Sequence, residues 1–240
     1  MRQTDQVDRA DQASQPASTN TPEQPEEASQ LVAHWLPALV GALVLGLLFA
    51  LLPENITIGP SWIPLIFIAG ALLPTLIAKA TRRHLPHITS RIFSFILLGI
   101  ITTVLIAGVT LMIVTLPSKT EHEAGLLLRE AGLLWLSNIL VFAFWYWEID
   151  GGGPRKRHES GHQAADFLFP QQAAPIPGKE NEVWIPQFLD YLFVAFTGAT
   201  ALSPTDTYPL SRRAKMLMMI EALIALGITI VIIGRAVNIL

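Results

Sequence analysis

The sequence predicts an all-α integral membrane protein: a helix bundle of five transmembrane spans with a re-entrant half-helix before the last. Three observations carry that prediction. Of the 240 residues, 51% are hydrophobic and only 15% charged, and several apolar runs are long enough to cross a bilayer. The segment Phe188–Ala201 is apolar too, but its about 15 residues make about 22 Å of helix against a hydrocarbon core of about 30 Å. Finally, Lys and Arg gather on alternate loops.

The chain opens with a polar stretch, Met1–Gln30, in which Val7 is the only branched aliphatic residue. It cannot bury enough apolar surface to offset its ordering entropy, so residues 1–30 are expected to form a disordered polar tail. Residues 31–148 then hold four predicted transmembrane helices. The first, Trp35–Leu52, carries Pro37 in its expected opening turn, where a missing N–H does no harm. The second, Trp62–Lys79, holds Pro64 near its start and Pro74 inside, where a kink is expected. The basic loop KATRRHLPHITSR separates it from the third, Ile92–Leu116, which lacks charge and is closed by Pro117. The fourth begins near Ala124. Arg129 and Glu130 lie near its start, where long side chains can reach the headgroups. Phe144, Trp145, Tyr146 and Trp147 near its end are expected to form an interfacial aromatic belt.

Residues 149–186 read as a Gly/Pro-rich polar loop. Gly151, Gly152, Gly153 and Pro154 argue against further helix, and DFLFPQ (Asp166–Gln171) is its only apolar patch, expected to pack on the bundle or at the interface. Residues 187–240 form the last module: the half-helix, a loop rich in hydroxyls, and a final apolar span after Arg212, Arg213 and Lys215. The loops after spans two and four together hold eight Lys and Arg, against one, Lys119, in the loops after spans one and three. This asymmetry predicts a cytoplasmic amino terminus. The basic patch at Arg212–Lys215 is then cytoplasmic only if Phe188–Ala201 enters and leaves on one side.

The formal net charge of −3 says little about partners, and nothing points to nucleic acid. The absence of cysteine excludes disulfides, thiol catalysis and thiolate metal sites. HESGH (His158–His162) matches the H-E-x-x-H zinc pattern, which needs both histidines on one helix face. The upstream GGGP and the internal Gly161 argue against such a helix, so neither a metal nor another cofactor is expected. His84 and His87 are ordinary residues of a basic loop. With no phosphate-binding glycine loop and no identifiable Ser-His-Asp set, no enzymatic activity is expected.

Three acids lie at or near membrane depth in the last module: Asp190, Asp206 and Glu221. Intramembrane acids are costly and usually face a bundle interior or an aqueous path. Glu221 either pairs with Arg212, Arg213 or Lys215, or faces such a path. Thr197, Thr200, Ser203, Thr205 and Thr207 add hydroxyls that could line a path or bond back to helix carbonyls.

The stretch YLFVAFTGATALSPTDTYP resembles the pore module of tetrameric potassium channels, a pore helix followed by T-x-G-Y-G-D, x-x-P and an inner helix. Tyr191–Ala199 fall on the pore helix, Asp206 on the filter aspartate and Pro209 on the following proline. Ser203, Pro204 and Thr205 stand where the glycine-built carbonyl cage would be. EIDGGGP, DFLFPQ, DYLFVAFTGATALSPTDTYPLSRRAK and the later RAVN also resemble a group of uncharacterised bacterial multi-spanning inner-membrane proteins. The second resemblance implies a bacterial inner-membrane location, and the first a channel-like homo-oligomer passing monovalent cations; a path lined by hydroxyls and an acid in place of the carbonyl cage predicts weak selectivity. Thr200, Ser203, Pro204, Thr205, Asp206 and Glu221 are the candidate pore-lining residues. A non-conducting membrane scaffold and a small transporter are the alternatives. For the zinc pattern the expectation is negative: metal analysis of the purified protein should find no stoichiometric zinc, and His158→Ala should leave the unfolding midpoint unchanged.

Overall fold

The computed structural model describes residues 24–53, 87–116, 124–160, 166–174, 184–200 and 206–239. The predicted second span, Trp62–Lys79, lies outside them. The chain divides into two compact units, Met1–Ala33 and His34–Leu240, and the packing described here belongs to the second. The long helices are α1 (Gln24–Ala50), α2 (His87–Thr115), α3 (Ala124–Ile149), α6 (Phe188–Thr200) and α7 (Arg212–Ile239). Between α3 and α6 come a 3-10 turn (Asp150–Gly152), the short helices α4 (Pro154–Ser160) and α5 (Pro170–Ala173), and the strand β1 (Phe167–Leu168). β1 pairs antiparallel with β2 (Tyr208–Pro209), in the register Phe167↔Pro209 and Leu168↔Tyr208. Arg91–Thr115, Gly125–Gly152 and Arg212–Gly234 are long and apolar enough to cross a membrane, while Leu36–Ala50 and Phe188–Thr200 are shorter apolar helices.

α3 is the central stave. In its most apolar window 61% of residues are buried, against 28% for α2 and 22% for α7, because α3 packs against α2, α6 and α7 together. The outer helices keep apolar faces exposed: Ile92, Ile96 and Ile100 on α2, and Met219, Leu223 and Ile230 on α7. Faces of that kind belong against lipid or another apolar partner.

The direction of each helix follows from its contacts. Arg213 at the start of α7 donates to Ile149 O at the end of α3, and the Asn138 side chain donates to Glu221 O further in. The two helices therefore run antiparallel. The Phe188 ring sits 4.6 Å from Phe144 and 5.8 Å from Trp147, and Phe196 lies 6.2 Å from Trp135. So α6 also runs antiparallel to α3 and starts from the same end as α7. By Leu210, whose N–H donates to Asp166 O, the chain is back at that end. Gly41 lets α1 approach closely: a Cβ there would stand 2.8 Å from Phe188 Cε1.

Four expectations are corrected. The polar tail does not extend to Gln30, because α1 already begins at Gln24. A proline at position 25 suits a first helical turn, where no N–H partner is needed. Pro37 accordingly lies inside α1 rather than in its opening turn. Residues 149–186 are not one structureless loop. Pro154 starts α4, since a proline at the first position gives up an N–H that has no helical partner there. Nor do the four aromatics form a belt: Tyr146 is fully buried, Trp147 is 9% exposed, and Phe144 and Trp145 pack against the same core. Phe144–Trp147 span one full helical turn, so they point all round α3, and α3 has neighbours on most sides. The patch DFLFPQ does pack on the bundle, with Phe167 and Phe169 buried beside Tyr191.

The glycine run is required by the backbone. Gly151, Gly152 and Gly153 have φ of 58°, 84° and 97°, and Gly153 combines its φ with ψ of 166°, a region essentially closed to residues with a Cβ. Gly153→Ala should therefore destabilise the protein by about 1–3 kcal/mol, readable as a lowered unfolding midpoint in detergent.

Candidate functional site

Two polar clusters sit in this apolar bundle. The first caps the end of α3. Asp150, fully buried, follows directly from the last turn of α3 and accepts from three donors: Asp166 N–H at 3.1 Å, Phe167 N–H at 3.2 Å and the Tyr191 hydroxyl at 2.6 Å. The glycine turn then brings Arg157 of α4 back over the helix end. Its Nη1 donates to Trp147 O at 2.7 Å and Asp150 O at 2.5 Å, satisfying carbonyls that the terminating helix leaves open. Its guanidinium also stacks 5.0 Å from the centre of the Tyr191 ring.

Asp166 is the second buried aspartate of this cap. Arg213 grips it with a fork, Nε to Oδ1 and Nη2 to Oδ2, both at 2.5 Å. The Ser211 hydroxyl donates to the same carboxylate and accepts from Ala214 N–H, capping α7. The Asp166 carboxylate thus meets a guanidinium, whereas that of Asp150 is held by two backbone N–H groups and a phenol hydroxyl. Asp190 belongs to this end as well: in the first turn of α6 its Oδ2 accepts Gln187 N–H at 2.7 Å, half of a capping box.

The second cluster lies deeper. Glu221 is fully buried on α7. Its Oε2 accepts a hydrogen bond from the Tyr146 hydroxyl of α3, and the Asn138 amide donates to its backbone carbonyl at 3.4 Å. From α6, Gly198 closes over the carboxyl group: a Cβ there would stand 3.0 Å from Oε2. Three helices therefore meet at one carboxyl. The other side-chain oxygens, Glu221 Oε1 and Asn138 Oδ1, are buried with no hydrogen-bond partner among the described residues.

The predicted pore-lining residues divide. Ser203, Pro204 and Thr205 lie outside the described residues. Thr200, at the end of α6, turns its hydroxyl back onto Phe196 O at 2.8 Å and Thr197 O at 3.3 Å; Thr197 back-bonds in the same way. Asp206 is exposed. Glu221 does not pair with Arg212, Arg213 or Lys215 as one expectation had it. Arg213 is engaged by Asp166, and Glu221 lies more than two turns further along α7, against Tyr146. Glu130, expected to reach the headgroups, is instead 4% exposed. The first half of HESGH does fall on a helix, α4, contrary to expectation, but that helix ends at Ser160, and His162 lies outside the described residues. Among the described residues no group of three potential metal ligands occurs.

Sequence reasoning missed Asn138, Tyr146, Asp150, Arg157, Asp166 and Gly198. Asn138 carried a readable signal, being an amide inside an apolar span; Tyr146 was hidden by its aromatic neighbours. No family model matches the chain, and no curated protein or solved structure proves similar to it.

The cap yields an asymmetric prediction. Arg213→Ala strands a carboxylate that is fully buried, whereas Asp166→Asn leaves an arginine whose side chain is 56% exposed and can be rehydrated. Arg213→Ala should cost about 3 kcal/mol and Asp166→Asn about 1–2 kcal/mol, compared by thermal unfolding in the same detergent.

Proposed function

We propose that this chain is a multi-pass protein of a bacterial inner membrane, with five spans, a cytoplasmic amino terminus and α6 as a re-entrant half-helix. In this reading the module of α6, the following loop and α7 passes small cations with weak selectivity. One observation carries the proposal: Phe188 and Leu210, on either side of the half-helix and its loop, both sit at the Ile149 end of α3, while Gly198 reaches Glu221 deep in the bundle. A helix of 13 residues, about 20 Å long, is too short to cross a core of about 30 Å. A chain that enters and returns on one side suits a pore loop. In such a pore loop the exposed Asp206 would place a carboxylate that concentrates cations at the mouth. The exposed apolar faces of α2 and α7 offer surfaces for lipid and for further copies in a homo-oligomer.

A non-conducting scaffold is the second reading, and a specific observation favours it. The hydroxyls of Thr197 and Thr200 are spent on their own helix, and Glu221 is sealed inside one protomer. A path built only from these groups has few free ligands to offer an ion. A small transporter, with the half-helix as the broken helix at its substrate site, is a third arrangement of the same parts.

Topology and flux test the proposal separately. The chain has no cysteine, so Ser118→Cys, Arg155→Cys and Tyr208→Cys can each be probed with a membrane-impermeant thiol reagent in intact cells. Only Ser118→Cys should be labelled; opposite labelling of Arg155→Cys and Tyr208→Cys would mean that α6 and its loop cross fully. In liposomes, Asp206→Asn should reduce cation flux about tenfold at low salt and less at high salt. Silence of well-folded oligomers at both voltage signs would instead support the scaffold.

A further inference from the structure

We propose that Glu221 is a proton-binding site inside the protomer, occupied in the structure described here, so that α3, α6 and α7 close around a neutral carboxylic acid. This stands apart from whether the module conducts, because it rests on the hydrogen-bond inventory of the site alone.

The Tyr146 hydroxyl has one proton to donate, and it is directed at Glu221 Oε2. Glu221 Oε1 and Asn138 Oδ1 then remain as two buried acceptors with no donor. An ionised glutamate can only accept, so it leaves both atoms unsatisfied and adds a bare charge. A proton on Oε1 turns one of them into a donor, leaves Oε2 as the carbonyl oxygen that Tyr146 bonds, and removes the charge. A buried carboxylate without a counter-charge characteristically neutralises in this way.

Among the described residues, no counter-charge faces the group from the elements around it. On α3 the titratable neighbour is Tyr146 itself. Glu130 lies two turns beyond Asn138, and Glu148 lies at the opposite end, beside Arg91 and Gly153. α6 presents Gly198, and its Asp190 is held at the far end by Gln187. α2 has no titratable residue from Ile92 to Thr115, and α1 has none from Leu36 to Ala50. On α7, Arg213 is committed to Asp166, while Arg212 and Lys215 are exposed at the start of the helix. Releasing the proton would leave a carboxylate against Gly198 and Tyr146, so binding and release would bear directly on the packing of α6 against α7.

Infrared pH-difference spectroscopy of the full chain in lipid nanodiscs reads this state directly. At pH 7 a carbonyl stretch of a buried carboxylic acid is expected. Glu221→Gln should abolish it, and Tyr146→Phe should shift its frequency while the amide bands stay unchanged. Should Glu221→Gln fail to fold, carboxyl-labelled glutamate in the natural chain identifies the same band by its isotope shift, and Tyr146→Phe assigns it to Glu221. Exchanging choline for sodium at fixed pH should leave the band intact. The proposal is overturned if no such band exists at pH 7, if Tyr146→Phe leaves it unmoved, or if sodium removes it, which would make the site one for a metal cation.

Discussion

The placement of α6 depends on satisfying two buried aspartates at the end of α3. Asp150 and Asp166 are each fully shielded from solvent, and a buried carboxylate persists only when paired and hydrogen-bonded. Their partners come from four segments: the backbone of 166–167, Tyr191 of α6, Ser211 before α7 and Arg213 within it. Meeting the needs of two side chains thus pins the β1 segment, α6 and the start of α7 to one point. The glycine turn belongs to the same construction, because it brings Arg157 over both the exposed carbonyls of α3 and the Tyr191 ring.

From that anchor the apolar packing follows. α3 is apolar on nearly all sides and becomes the axis, with α2, α6 and α7 laid against it. Aromatic rings fill the space where α6 enters, Phe188 between Phe144 and Trp147, and Phe167 between Tyr146 and Tyr191. Small residues allow the closest approaches, Gly41 under Phe188 and Gly198 over Glu221. The cap makes α6 enter at a defined level, and that level brings Gly198 to the carboxyl group.

The two clusters obey opposite rules. At the cap, where α3 ends and α7 begins, Asp166 is matched by Arg213, whose side chain is 56% exposed. Deeper in, Glu221 finds a hydroxyl and an amide but, among the described residues, no cation. A matched pair holds its geometry across a wide range of conditions, whereas a lone buried acid couples its surroundings to the proton. The chain therefore holds a hydrogen-bonded cap beside a group that can change state.

Local pattern was enough for part of this. Apolar runs marked α2, α3 and α7, the length of Phe188–Thr200 marked a helix too short to cross, and Phe167 and Phe169 marked the loop patch that docks. Each is a property of neighbouring residues, and hydrophobic length and period are carried by neighbours. The partners of the acids were not legible. Glu221 stands 75 residues from Tyr146, and Arg213 stands 47 from Asp166, so the nearby Arg212, Arg213 and Lys215 looked the natural partners for Glu221. The error over Phe144–Trp147 has the same origin, since an aromatic cluster at the end of a span suits an interface as well as it suits a core. What the sequence by itself determined is which segments are apolar, how long they are and where glycine must bend the chain. Which acid meets a guanidinium and which meets only a hydroxyl was decided by the tertiary structure, because burial and pairing depend on helices brought together from distant parts of the chain.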